Sequence, residues 1–331
     1  MPDFPWPSGS ATGIGSLPGT DITEAQRIVL GELPSLPHLP ELPERGPGAD
    51  LIGRGAGFLV ELPVELYVGR WQIAARPGRD QRHTADLLDR DLDQLTEQAD
   101  GFTGTVKIQA AGPWTLAASL DLPIGGRMLR DPGAVRDLTD SLAEGLRRHV
   151  ADVRKRIPGG TVLLQLDEPS LPAVMAGQVP TESGLSAYRA VDGPAAATGL
   201  RTVIEAVDAP VVLHCCAPDL PWQVVRDSRA TAAAFDLSLL KDLDPVGEAI
   251  EAGLGLFVGA APTRPAPGTR PDSKRIAERV QKLWRRLGFP EARLPEQVVI
   301  TPACGLAGAA PGYVRALLKA CHEAGRRISE V

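Results

Sequence analysis

Two rhythms alternate along the second half of this chain. Short unbroken apolar runs mark strands buried on both faces, and longer stretches with apolar positions every three or four residues mark one-sided helices. The clearest helix carries Val135, Leu138, Leu142, Leu146, Val150, Val153 and Ile157 on one stripe, and Pro158, Gly159 and Gly160 end it. It feeds a strand at 161–169 (TVLLQLDEP). A helix at 196–207 leads to a strand at 209–216, a short helix near 220–228 to a strand at 231–237, and a helix at 242–252 to a strand at 253–260. A helix at 273–287, with Ile276, Val280, Leu283, Trp284 and Leu287 on one face, precedes a strand at 296–305 and a last helix at 311–327.

The first half is less regular. Its strand candidates are 11–18 (ATGIGSLP), 55–63 (GAGFLVELP) and 104–113 (GTVKIQAAGP). About eight strands alternating with helices predict an α/β fold of the (β/α)8 barrel type. A doubly wound open sheet is the alternative, and no G-x-G-x-x-G turn supports it. The Pro-rich stretch 32–48 reads as an ordered loop over the barrel mouth, with a polyproline ligand as the other reading. No repeat or linker divides the chain, so residues 1–331 are expected to form one domain.

Composition narrows the partners. Hydrophobic residues make up 43% and aromatics only 4%, so Ala, Val, Leu and Ile must build the core. A net charge of −6 without a long basic run argues against nucleic acid or an anionic membrane. No apolar run reaches the ~18 residues of a spanning helix. The start, MPDFPWPSGS, lacks the basic and apolar regions of a signal peptide, so the expected setting is the cytoplasm. There, four cysteines read as metal-binding or catalytic rather than as a disulfide framework.

Three residues stand out. His214 and Cys216 are two apart on a strand, so they share a face while Cys215 points away. Cys304 follows another strand and would reach the same carboxyl-terminal rim, where barrel enzymes keep their sites. Imidazole and thiolate are zinc ligands, and ligands drawn from remote segments suit a site with an open position. Taken singly, His214 also fits a core histidine, and Cys215 and Cys321 fit small core residues. Asp236, ending the intervening strand, is the candidate fourth ligand or a turn cap.

At this point the residues resemble a family. TGIGSLP (12–18), QLDEPSL (165–171), HCC (214–216) and PACGL (302–306) resemble, in order and rough spacing, the catalytic barrel of cobalamin-independent methionine synthases. The resemblance spans almost the whole chain and looks like the single-barrel form. It implies that Zn2+ sits on His214, Cys216 and Cys304, binds the homocysteine sulfur as a thiolate, and so permits methyl transfer to give methionine. It further implies that Ile14, Gly15 and Ser16 hold the amino-acid end and that Asp167 binds the ammonium. Glu61, or Glu65, is its second carboxylate, and Trp114 a residue over the donor. The residues themselves allow plainer roles: Asp167 and Glu168 as helix or turn caps, Trp114 as core or lid.

Three departures qualify the resemblance. The chain has length for one barrel where the family's full-length enzymes have two. Asp236 stands where the family has a glutamate ligand. About Ala260, the family has a histidine linked to protonating the leaving folate nitrogen. Without that acid the chain is expected to favour a donor whose leaving group needs no proton, such as a methylated corrinoid on a partner protein, with methyltetrahydrofolate as the other reading. Two further functions remain: a zinc alkyltransferase for another small thiol, and a non-catalytic zinc- or thiol-binding barrel.

Overall fold

A computed structural model describes residues 3–265 and 269–330. Residues 1, 2, 266–268 and 331, included in the expected single domain, lie outside the described residues. Six parallel strands form a sheet in sequence order: β3 (Thr105–Ala111), β4 (Thr161–Asp167), β5 (Val211–Cys215), β6 (Ala232–Asp236), β7 (Gly255–Ala261) and β8 (Val298–Pro302). They follow a separate antiparallel hairpin, β1 (Val64–Tyr67) and β2 (Arg70–Ile73). Helices α1 (Ile22–Glu32), α2 (Leu51–Gly57) and α3 (Arg79–Gln98) belong to the first third of the chain. Between and after the parallel strands come α4 (Pro113–Ala117), α5 (Pro132–Arg156), α6 (Leu171–Met175), α7 (Gly193–Ala206), α8 (Trp222–Asp227), α9 (Asp244–Glu251), α10 (Ser273–Leu287), α11 (Leu294–Gln297) and α12 (Pro311–Ser329). The helices expected at 196–207, 220–228, 242–252, 273–287 and 311–327 correspond to α7, α8, α9, α10 and α12.

The ring is closed by two staves too short to be strands. Ala11 bridges Ile300 of β8 in parallel, Ser16 bridges Glu41, and His38 bridges Lys107 of β3. Backbone bonds carry the closure: Thr12 N–H to Ile300 O at 3.0 Å, Glu41 N–H to Gly15 O at 3.1 Å, and Leu39 N–H to Lys107 O at 2.9 Å. The fold is thus an α/β barrel of eight parallel staves, six of them regular strands.

One expected strand is corrected. Residues 55–63 do not form the second stave: Asp50 accepts from Ile52 N–H and Gly53 N–H and starts α2, which runs through Gly57. A short apolar run does not distinguish strand from helix by itself, and here the cap decides. The second stave lies instead inside the Pro-rich stretch, which is therefore not a loop over the mouth. Leu33, Leu36, Leu39 and Leu42 are all fully buried, every third residue, the period of an extended proline-rich chain. Prolines at 34, 37, 40 and 43 remove donors, which limits the stave to isolated bridges.

The barrel interior is layered. Leu36, Leu163, Val212, Ala232, Ala234, Phe257 and Val299 form an apolar floor, with Trp6 inserted from the N-terminal segment. The Trp6 indole meets Phe257 edge-on at 5.0 Å and stacks on Phe4 at 4.7 Å. Gly255 permits this, because a Cβ there would stand 2.6 Å from the Trp6 ring. Above the floor the lining turns polar, with Lys107, Gln109, Gln165 and Thr301 all buried. Among the described residues no helix is long and apolar enough to cross a membrane.

Candidate metal and thiol site

Strand alternation raises the site above that floor. On β4, Leu163, Gln165 and Asp167 point inward in turn; on β5, Val212 and His214 do so, and Cys216 follows. Register then makes Asp167 the direct partner of His214. Oδ1 of Asp167 lies 2.5 Å from Nδ1 of His214, and both residues are buried. Nε2 of His214 is buried without any hydrogen-bond partner.

Ligand atoms of His214, Cys216 and Cys304 all lie within 4.8 Å of one another. The structure joins Cys216 and Cys304 as a disulfide, with Cα atoms 5.9 Å apart. The four cysteines were expected to be metal-binding or catalytic rather than a disulfide framework; this one pair is bonded here. Cys215 and Cys321 are free and buried, and burial pushes each thiol up to about 12.

The cluster fits a zinc ion once the two sulfurs are reduced. Carboxylate contact at Nδ1 fixes the tautomer that leaves a lone pair on Nε2, the arrangement common behind metal-bound histidine. Two sulfurs and one imidazole nitrogen are a zinc donor set that leaves a fourth position open.

Asp236 does not join this group. Its Oδ1 accepts from Ser238 N–H and the Ser238 hydroxyl, both at 2.7 Å, and caps the turn after β6. The fourth-ligand expectation is corrected to the cap.

The Ile14–Ser16 turn forms the neighbouring wall. Ile14 O accepts from Lys107 Nζ at 2.9 Å and Gln165 Nε2 at 2.8 Å. Ser16 O accepts from Leu306 N–H at 2.8 Å, which ties this turn to the loop carrying Cys304. Gly305 allows the approach: a Cβ there would stand 2.1 Å from Ser16 Oγ.

Glu61 is not among the buried groups of this wall. It is exposed on a turn with φ +57°, and Glu65 is occupied on the hairpin by Gln72 Nε2 at 2.7 Å. The carboxylate at the rim is Glu41, bridged to Ser16 and buried. Burial pushes Glu41 up to about 7, with Asp167 adding to the rise and Arg54, 3.3 Å away, opposing it. Its signal lies in the three-residue period of the second stave: His38 and Glu41 fall one turn apart, out of phase with the leucines.

Two further expected residues have structural duties. Glu168 accepts from Trp114 N–H, Thr115 N–H and the Thr115 hydroxyl at 2.7–2.9 Å, so it caps α4 from β4. Burial nevertheless pushes its carboxyl up to about 7. The Trp114 indole donates to Ala196 O at 2.9 Å and lies on α7 beside Gly199. It lines a cavity of about 600 Å3 between α5 and α7. Ala260 is buried in β7.

The B12-independent methionine synthase from Shewanella sp. W3-18-1, solved with selenomethionine, matches with a TM-score of 0.60 and 12% identity, covering 98% of each chain. At that identity the likeness concerns the fold. Dihydrodipicolinate synthase from Oceanobacillus iheyensis matches at 0.44 and 13% identity, over 98% of this chain and 76% of that one, which carries no argument. Curated protein sequences give no match. None of these likenesses supports a corrinoid-protein partner. The family model described as cobalamin-independent synthase, catalytic domain, matches residues 96–327, more than half of the chain, and the protein belongs to that family.

Proposed function

We propose that this protein is a methyltransferase that converts homocysteine to methionine at a zinc ion on His214, Cys216 and Cys304. The observation that carries the reading is the buried, unpartnered Nε2 of His214, oriented by Asp167 beside two cysteine sulfurs. Bound zinc would keep the substrate sulfur ionised at neutral pH, where a free thiol with a pKa of ~8.5 is mostly protonated. With those three residues holding the ion, a fourth position would be available to the substrate sulfur. A reducing cytoplasm would keep Cys216 and Cys304 available as ligands.

The remaining residues bind and orient. Among the described residues the N–H groups of Ile14, Gly15 and Ser16 donate to no protein acceptor, which leaves them for the substrate carboxylate. Glu41 and the Oδ2 atom of Asp167 are the acceptors for its ammonium. Glu41, rather than Glu61, is the second carboxylate in this reading. Membership of a cobalamin-independent family is what supports reading methyltetrahydrofolate, rather than a methylcorrinoid, as the donor.

The test is a donor screen on reduced, zinc-loaded protein with homocysteine, comparing methyltetrahydrofolate and methylcobalamin. Methionine from the folate supports the reading. Methionine from neither, or reduced protein that binds no zinc, overturns it.

A further inference from the structure

Gln165 is fully buried in the layer beneath the site and belongs to none of the binding groups above. Its amide makes three bonds. Oε1 accepts from Lys107 Nζ at 2.8 Å, while Nε2 donates to Ile14 O at 2.8 Å and to Asp167 Oδ1 at 2.7 Å. The orientation is forced by chemistry: an ammonium only donates, and a carbonyl and a carboxylate only accept. Lys107 reinforces the arrangement by also donating to Ile14 O and to Gln109 Oε1, at 2.9 and 3.2 Å.

The two Nε2 bonds reach opposite walls. One ends on the carbonyl of the turn whose N–H groups face the substrate carboxylate. The peptide is trans, so drawing Ile14 O inward toward Lys107 turns Gly15 N–H the opposite way. The other ends on the same Asp167 oxygen that holds His214 Nδ1. A single amide therefore ties the turn that would seat the substrate carboxylate to the aspartate that orients His214 at the seat on the sulfur side.

We propose, on the reading above, that Gln165 is a positioning residue that sets the separation of these two seats and thereby selects homocysteine over its one-carbon-shorter analogue, cysteine. A substrate filling both seats must match that separation. Loosening the amide lets the turn and the histidine shift independently, and the chain-length preference is lost.

The test uses reduced, zinc-loaded protein and calorimetric titration with L-homocysteine and L-cysteine, so it needs no methyl donor. Gln165→Met keeps the volume and removes all three bonds. Gln165→Glu keeps the contact with Lys107 and removes both donors, and it is the second variant should the first not fold. The parent is expected to favour homocysteine, and either variant to lower the homocysteine-to-cysteine affinity ratio about tenfold or more. The inference is overturned if the ratio stays within about twofold while melting temperature falls, because Gln165 is then only structural. A parent that binds neither thiol removes the functional reading, and this inference with it. A parent that binds homocysteine beside an unaltered variant removes this inference alone.

Discussion

Asp167 and His214 are register partners on neighbouring parallel strands, joined through Oδ1 and Nδ1 at 2.5 Å. The contact decides which imidazole nitrogen faces the two cysteines. Asp167→Asn keeps the shape and weakens the orienting bond, so zinc affinity is expected to fall about 10–100-fold. Competition with a chromophoric chelator measures it. Asp236→Ala, which disturbs only a turn cap, is expected to leave zinc affinity unchanged.

On the proposed zinc reading, the Cys216–Cys304 bond would make metal uptake conditional on reduction. Denatured protein prepared without reductant is expected to show two thiols, Cys215 and Cys321, and four after reduction. Thiol titration counts them. Zinc should bind tightly only to the four-thiol form.

Glu41 and Glu61 have opposite environments, one buried at the rim beside Ser16 and one exposed. Glu41→Gln is expected to weaken homocysteine binding about tenfold or more, the scale of a lost charge-assisted bond. Glu61→Gln should change it less than twofold. Calorimetry on the zinc-loaded protein separates the two.

His149 supplies a pH signature away from the site. It is buried against Phe58, with ring centroids 4.7 Å apart, and its Nε2 has no partner. Burial, then the charges of Arg54 and Arg156, lower its pKa from 6.5 to about 3. The unfolded chain therefore binds this proton first. The associated stability is intact above about pH 6.5 and is lost as pH falls toward 3. Glu41 and Glu168, each raised to about 7, act in the opposite sense: the folded state keeps their protons where the unfolded chain has released them. The clean comparison is thus between proteins. His149→Gln should gain on the parent by ~1.4 kcal/mol per pH unit below 6.5, read from urea unfolding at a series of pH values.

Much of this was legible in the chain, for reasons that differ by region. From residue 104 onward, buried parallel strands are continuous apolar runs and their helices are one-sided, so period alone locates both. His214 and Cys216 were legible as a pair because strand alternation is rigid. The second stave was not: its prolines erase the two-residue rhythm, and its leucines follow a rhythm of three. Where that stave is not legible, Glu61 has an apolar setting in sequence similar to that of Glu41, and sequence alone does not separate the two. Lys107 and Gln165 were visible only as polar interruptions in TVKIQ and LLQLD. Their meaning depends on a contact with Ile14, 93 and 151 residues away.

The closing bridge between Ala11 and Ile300, with Trp6 donating to Glu296 O nearby, has a consequence for synthesis. The first stave has no neighbour on that side until nearly the whole polypeptide has left the ribosome. Through most of translation, the apolar plug of Phe4 and Trp6 and the free edge of Ile14–Ser16 must wait unsatisfied. Nascent chains stalled short of the last strand should therefore be chaperone clients, and the capacity to hold a substrate should arise only with the final tenth of the chain.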